Sequence, residues 1–445
     1  LHETILTFLL NLFRKIETNC STFVLKEKNM RNSGAWWWIA IFMFLLDLYV
    51  FQAVKWVCQP YTDRTRVWVY GIYWFISVLA LLMIVSFPFL PSSIQLSKVF
   101  RNYVFSILVG IFFAKLMAAL FFLIDDVRRG GMWLVSKIFP TTGASFGGDG
   151  NVISRSTFLS WAGLALGSGF FGTMLYGFRN KYNYQVKRIP VSFNNLPSAF
   201  KGLKLVQISD IHCGSLQDMA AVEKGVELIL KEKPDVICFT GDLVNDRHEE
   251  VFDCQPIFSK LQAPMGVYSI LGNHDYGDYV RWESAEQKAS NLDKLKQLHH
   301  EMGWRLLMNE HVVLEKEGQK IAILGIENWS AKGRFPKYGK LTQAYEGAKD
   351  IPFKVLLSHD PSHWDAEVLP NYKDIDLTLS GHTHGMQFGL ENPYFKWSPV
   401  QWVYPRWAGL YEERKQKLYI NRGFGFIGYP GRVGILPEIT VIEFV

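Results

Sequence analysis

Histidine is scarce in this chain, 11 in 445 residues, yet two of them stand two apart in Gly381-His382-Thr383-His384-Gly385, one residue after the apolar run IDLTL. Four other apolar runs end in a similar way. KLVQIS runs into Asp210-Ile211-His212, DVICFT into Gly241-Asp242, GVYSIL into Gly272-Asn273-His274-Asp275, and KVLLS into His359. The five ends carry seven side chains with a hard oxygen or an imidazole donor: Asp210, His212, Asp242, Asn273, His359, His382 and His384. None is a cysteine. Side chains i and i+2 on an extended segment point the same way, so Asp210/His212 and His382/His384 can each converge on one point. Gly241, Gly272 and Gly381 would let the backbone turn sharply there. Mixed His/Asp/Asn ligation suits Mn, Fe or Zn better than Mg or Ca. Seven ligands exceed the needs of one catalytic ion that keeps a position open. They suit two ions ~3.5–4 Å apart sharing a bridging carboxylate, an arrangement for phosphoryl chemistry. Taken singly, each signal is weak: a DxH is commonly a surface or cap pair, and a lone His359 is commonly an ordinary polar residue. All five at strand ends carry the reading.

The elements that must position these residues are legible as alternating patterns. After the polar connector KYNYQVKRIPVSFNNLP, with a first strand in YQVKRIPVSF, short apolar strands interleave with helical stretches. AAVEKGVELILKEK places Val222, Val226, Ile229 and Leu230 at helical spacing. VFDCQPIFSKL reads as a short helix and 278–302 as a longer one. HVVLEK and KIAILGI flank the turn EGQ, and KLYIN and EITVIEF close the chain as strands. This is a layered α/β domain of about 260 residues, near the upper size for one domain. In open α/β sheets, ligands bind at such strand ends.

With these motifs in order, the chain resembles the calcineurin-like metallophosphoesterases over 184–445. It is most similar to a membrane-anchored bacterial branch related to UDP-diacylglucosamine hydrolases. The ending YINRGFGFIGYPGRVGILPEIT resembles that branch too. The resemblance implies a four-layer αββα sandwich. It implies one divalent ion on Asp210, His212, Asp242 and His384, a second on Asp242, Asn273, His359 and His382, and Asp242 as the bridge. His274 would contact phosphate and protonate the leaving oxygen, and Asp275 would orient His274. Water activated between the two cations would attack phosphorus in line. Arg422, in the Asn-Arg-Gly loop, could reach phosphate or form a structural salt bridge, and Gln387 is a second candidate for substrate contact. Met386 departs from the branch, which reads Gly-His-Thr-His-Gly-Gly-Gln there, and could narrow the pocket.

The first half is of a different kind. Hydrophobic residues make up 49% of the chain and aromatics 15%, which fits a membrane part joined to a globular part. Four stretches reach the length of about 20 apolar residues needed to span a bilayer: 35–56, 67–90, 104–124 and 158–178. Residues 1–34 are an N-terminal segment, with a possible natural start at Met30. The four spans make up a transmembrane region over 35–178. A connector with the first strand covers 179–200, and the α/β domain 201–445. Trp36, Trp37, Trp38 and Trp56 suit interfacial belts. Gly163 and Gly167 form a GxxxG, a spacing that Ser168 and Gly172 repeat, and this favours close helix packing. Asp47 and Lys115 lie at similar depth in spans that run in the same direction, so they are expected to face each other.

A net charge of +6 without a Lys/Arg-rich block fits a membrane surface better than nucleic acid, and no obligate protein partner is evident. The chain is expected to be multi-pass in a bacterial cytoplasmic membrane. Basic residues favour a cytoplasmic C-terminal domain, whereas SRSTFLSWAGLALG resembles a twin-arginine export signal with Ser156 in place of one arginine. The five cysteines show no CxxC spacing and no sign of a disulfide framework, and Cys213 reads as a buried filler. The aromatic loop 391–411 suits a lipid headgroup layer or a hairpin packed on the sheet. The expected substrate is therefore a phosphodiester or pyrophosphate in a lipid-linked molecule of UDP-diacylglucosamine type. Two alternatives are a broad phosphodiesterase or phosphatase on envelope substrates, and a non-catalytic metal-dependent membrane sensor. His274, catalytic in type but not needed as a ligand, argues against the sensor.

Overall fold

The computed structural model describes residues 35–86, 98–138, 155–333 and 335–445. The N-terminal segment 1–34 and the expected end of the second span at Leu90 lie outside the described residues. The chain divides into two compact units that meet in sequence between Tyr176 and Gly177.

The first unit contains the helices α1 (Ala35–Cys58), α2 (Asp63–Ser86), α3 (Lys98–Ile138) and α4 (Arg155–Gly177). All four are long and apolar enough to cross a membrane. Two boundaries differ from the expectation. Helix α2 starts at Asp63 rather than Val67, because Thr62 Oγ1 accepts from Thr65 N and Asp63 pairs with Arg66 at 3.2 Å. Helix α3 runs on to Ile138, past Ile124, because its charged continuation is internally paired. Arg128 meets Asp125 at 2.8 Å and Arg129 meets Asp125 at 3.2 Å, at helical i,i+3 and i,i+4 spacings. Lys115 Nζ donates to Asp47 Oδ1 and, at 2.8 Å, to Ser77 Oγ. Asp47 is 2% exposed, so the expected ion pair is internal to the helices. An added Cβ at Gly163 would sit 3.0 Å from Ala118 O, and one at Gly167 would overlap Ala114 O. The GxxxG thus lets α4 approach α3 closely, whereas nothing lies within 4 Å at Gly172.

The second unit holds fourteen strands among the described residues. They are β1 (Gln185–Val191), β2 (Lys204–Ile208), β3 (Val236–Phe239), β4 (Val267–Ser269), β5 (Arg305–Leu306), β6 (Glu310–Lys316), β7 (Gln319–Gly325), β8 (Lys354–Leu357), β9 (Leu377–Ser380), β10 (Leu390–Asn392), β11 (Phe395–Trp397), β12 (Gly409–Glu413), β13 (Gln416–Ile420) and β14 (Glu438–Phe444). One six-stranded sheet has the order β1-β14-β2-β3-β4-β5 and the other β12-β13-β9-β8-β7-β6, while β10 and β11 form a separate hairpin. Strands β2 to β5 run parallel, as do β7, β8, β9 and β13.

Most of the buried apolar residues of this unit fall into three layers. Val206, Ile208, Ile237 and Phe239 of the first sheet pack with α5 (Met219–Lys231) and α7 (Ala285–Glu301) through Val222, Val226, Leu295 and Leu298. On the strands' opposite faces, Leu205, Val236 and Cys238 meet Ile321, Ile323, Val355, Leu357, Leu377 and Leu379 of the second sheet. The remaining faces of the second sheet, Ala322, Leu324 and Leu356, pack on Leu341 and Ala344 of the short helix Leu341–Glu346 and on Trp364 and Val368. Period-2 alternation along one strand therefore feeds two cores, and the domain is a four-layer αββα sandwich.

The cysteines depart from the expectation of a buried filler without a disulfide. Cys213 and Cys254 are joined to each other. The crosslink links the loop after β2 to the residue preceding the short helix α6 (Gln255–Phe258). A separation of 41 residues without CxxC spacing gave no local sign of it.

Candidate metal centre

Each expected ligand sits just beyond the C-terminal end of a strand. Asp210 and His212 follow β2, Asp242 follows β3, Asn273 and His274 follow β4, His359 follows β8, and His382 and His384 follow β9. The loops are tied to one another by backbone hydrogen bonds: Asp210 N to Gly241 O at 2.9 Å, His212 N to Asp242 O at 3.1 Å, and Gly381 N to His359 O at 3.0 Å.

The donor atoms form two groups. Asp210, His212 and His384 make one, with His384 Nε2 3.1 Å from His212 Nε2 and 3.3 Å from Asp210 Oδ1. Asp242, His359 and His382 make the other, with His359 Nε2 3.1 Å from Asp242 Oδ2 and 3.3 Å from His382 Nδ1. Asp242 Oδ2 also lies 3.7 Å from His212 Nε2, so a single carboxylate oxygen stands between the groups. Asn273 is buried and gives its amide to Tyr279 Oη at 2.9 Å, while its Oδ1 accepts from no protein donor among the described residues.

Holding these donors together strains the backbone. Asp210, His212, Asp242, His382 and His384 all have left-handed φ, between 50° and 71°. Such a conformation costs of order 1–3 kcal/mol per non-glycine residue and gathers at functional sites. The glycines serve in two ways. Gly241 has φ +95° and turns the chain. Gly272 and Gly381 do not have positive φ and instead allow close approach. An added Cβ would overlap Asp242 Oδ1 at Gly272, and Ser209 Oγ and Asp210 Oδ2 at Gly381.

The electrostatics suit bound cations. Burial lowers the His212 imidazole to about 3 and holds His384 well below its usual value, so both are neutral with a lone pair to share. Burial raises the Asp210 carboxyl to about 6. Burial would also raise Asp242, but the imidazoles of His359, His274 and His212 outweigh it and hold that carboxyl well below the usual range. In return, and against the effect of burial, Asp242 holds His359 up at about 10. Buried carboxylates, the imidazoles of His212, His359, His382 and His384, and the amide oxygen of Asn273 are a donor set that fits two divalent ions.

His274 is half-buried, more open than its neighbours. Its Nδ1 lies 2.8 Å from Asn245 O and therefore donates to that carbonyl, which leaves Nε2 as the atom that can carry a mobile proton. Its ring lies near Tyr279, with centroids 4.6 Å apart.

Asp275 and Gln387 take other roles than those expected of them, and Arg422 takes the second of its two. Asp275 does not bond His274. Its two oxygens accept from the backbone N–H groups of Asp242, Leu243, Val244 and Gly272 at 2.8–3.2 Å, so it clamps the loops after β3 and β4 together. Arg422 is 3% exposed and its guanidinium is committed to Glu391 and Glu438, which makes it a structural salt bridge. Gln387 is buried and bonds Tyr429 O, Gly431 O and Ile427 N, which holds the C-terminal loop rather than a substrate. The spacing did not reveal three other participants. Tyr404 meets His382 Nε2 at 2.9 Å, Asp360 lies beside it, and the fully buried Arg432 lies 3.3 Å from His384 Nδ1. These contacts join residues 22, 44 and 48 positions apart, beyond any local pattern.

Known proteins resemble the chain in both of its parts. The model of the calcineurin-like phosphoesterase family matches residues 203–386, and that of a "probable calcineurin-like phosphoesterase, transmembrane domain" matches residues 30–181. The chain is 32% identical over 256 residues to the uncharacterized metallophosphoesterase YkuE of Bacillus subtilis, covering 55% of this chain and 80% of that one. An uncharacterized metallophosphoesterase of Helicobacter pylori is 27% identical over 387 residues, 83% of this chain and 96% of its own length. The UDP-2,3-diacylglucosamine pyrophosphatase LpxG of Chlamydia muridarum is 28% identical over 286 residues, 54% of this chain and 81% of its own.

Proposed function

The chain belongs to the calcineurin-like metallophosphoesterase family, metal-dependent phosphoester hydrolases, and carries a transmembrane domain; from that premise we propose that it hydrolyses a phosphodiester or pyrophosphate bond in a lipid-linked substrate. The observation that carries the two-metal part of this reading is the single oxygen, Asp242 Oδ2, set between His212 and His359. One ion would be held by Asp210, His212, Asp242 and His384, and the other by Asp242, Asn273, His359 and His382. When bound, such a pair lowers the pKa of water toward neutrality and offsets charge on the phosphoryl oxygens. His274, fixed through Nδ1 by Asn245 O, presents Nε2 to the leaving oxygen as proton donor. Asp275 keeps the Asp242 and Asn273 loops in register through its four backbone hydrogen bonds.

The lipid-linked substrate is supported by a patch beside the metal loop. Leu390, Tyr394, Phe395 and Trp402 are exposed, Tyr394 at 98%, as is Met386 two residues beyond His384. The aromatic loop 391–411 is fixed to residues 383–385 by Ser398 Oγ to Gly385 O at 2.8 Å and Thr383 Oγ1 to Trp407 O at 2.6 Å. An apolar rim tethered beside a candidate phosphoryl site suits an amphiphile with its head at the metals. The pyrophosphatase activity in the name of the Chlamydia relative is compatible with that class.

The test uses the purified full chain in detergent with added Mn. A lipid-linked diphosphate and the water-soluble bis(p-nitrophenyl) phosphate are compared as substrates. Metal-dependent hydrolysis of the lipid substrate is expected, with KM raised by Y394A/F395A for the lipid substrate alone. Equal loss on both substrates would remove the lipid assignment, and no metal-dependent hydrolysis of either would remove the reading as a whole.

A further inference from the structure

We propose that Tyr404 and Asp360 form a positioning pair that fixes the tautomer of His382 and so completes the second cation position. The proposal rests on the two-metal reading above.

The positions of the protons decide the matter. Tyr404 is 4% exposed and Asp360 is fully buried. Tyr404 Oη lies 3.1 Å from Asp360 Oδ2 and 2.9 Å from His382 Nε2. An ionised carboxylate only accepts, and a phenol has one proton to give. If Tyr404 gave that proton to His382, two lone-pair-bearing oxygens would face each other at 3.1 Å in a buried site. Tyr404 therefore donates to Asp360, and its oxygen accepts from His382 Nε2–H. His382 then carries its proton on Nε2 and its lone pair on Nδ1. That Nδ1 is the atom 3.3 Å from His359 Nε2, on the side where His359 meets Asp242. The phenol thus turns the imidazole's free lone pair into the group of donors, the service that a carboxylate or carbonyl performs behind many metal-bound histidines.

The pair is itself held. Asp360 Oδ1 accepts from Ser362 N at 2.8 Å. Phe335 closes over the His382 ring, with centroids 5.1 Å apart in edge geometry. Tyr404 packs with Trp407, Val400 and Ile435 in a small core of its own. The aromatic loop 391–411 therefore has a second task besides its exposed rim, since it delivers the hydroxyl that orients a ligand.

The test is Tyr404→Phe in the full-length detergent-solubilised chain. It keeps the ring and removes one oxygen. Ions per chain are measured by elemental analysis after dialysis, affinity by metal titration, and the unfolding midpoint in chelator. The expected result is retention of one ion and weakening of the other by about 10–100-fold, with the chelator midpoint unchanged and kcat restored by excess metal. Asp360→Asn should shift affinity in the same direction. If Tyr404→Phe binds both ions with wild-type affinity while Asp242→Asn loses them, the positioning pair is overturned and the metal site stands. If Asp242→Asn keeps both ions, the site reading fails and the pair fails with it.

Discussion

At the scale of single residues, the two-metal proposal separates ligands from the group that acts on substrate. His274 donates its Nδ1–H to a carbonyl and belongs to neither donor group. His274→Ala should therefore leave metal content unchanged and lower kcat by about 10²–10⁴-fold, the range for loss of a general acid. A fall in metal content with the rate would make it a ligand instead. Gly381→Ala tests the close approach at the tip of β9. Its new methyl would overlap Ser209 and Asp210, so a stability loss of about 1–3 kcal/mol is expected, with weakened metal binding. A wild-type unfolding midpoint would show that the loop has room.

At the scale of elements, the residues that could be read in advance are those whose chemistry and position coincide. Asp210, Asp242, His359 and His382 each stand at the end of an apolar run, and the parallel strands β2 and β3, and β8 and β9, carry those ends to one place. The layered α/β architecture followed from the same alternation. The supporting contacts were not legible, because they depend on which strand lies next to which. Asp275 serves the loop after β3 instead of its neighbour His274. Arg422 is spent on Glu391, 31 positions away, and Glu438. Cys213 finds Cys254 across 41 positions. Both residues are also buried, so the disulfide predicts that their sulfurs resist alkylation even in the denatured chain until a reductant is added. Because disulfides persist in oxidising compartments, the same assay on chain denatured directly from cells reads the side of the domain: blocked thiols place it outside, free thiols in the cytoplasm.

At the scale of the whole molecule, the two units have separate sources of stability. The catalytic unit relies on three apolar layers. The helical unit adds a charge pair inside its helices, Lys115 with Asp47, supported by Ser77. Removing one partner strands a buried charge. Lys115→Ala should thus cost roughly 3–5 kcal/mol, read as a lower unfolding midpoint in detergent, and Asp47→Asn in the same chain should recover part of it. An unchanged midpoint in the single variant would mean that the pair is not buried as described. The claim on which the rest depends is that Asp242 joins two cation positions. The most direct measurement is elemental analysis of the full-length chain, saturated with Mn or Zn and then dialysed, beside its Asp242→Asn variant. A shared carboxylate predicts about two divalent ions per wild-type chain and loss of both in the variant. A wild-type chain that holds a single ion, or a variant that keeps two, would contradict it.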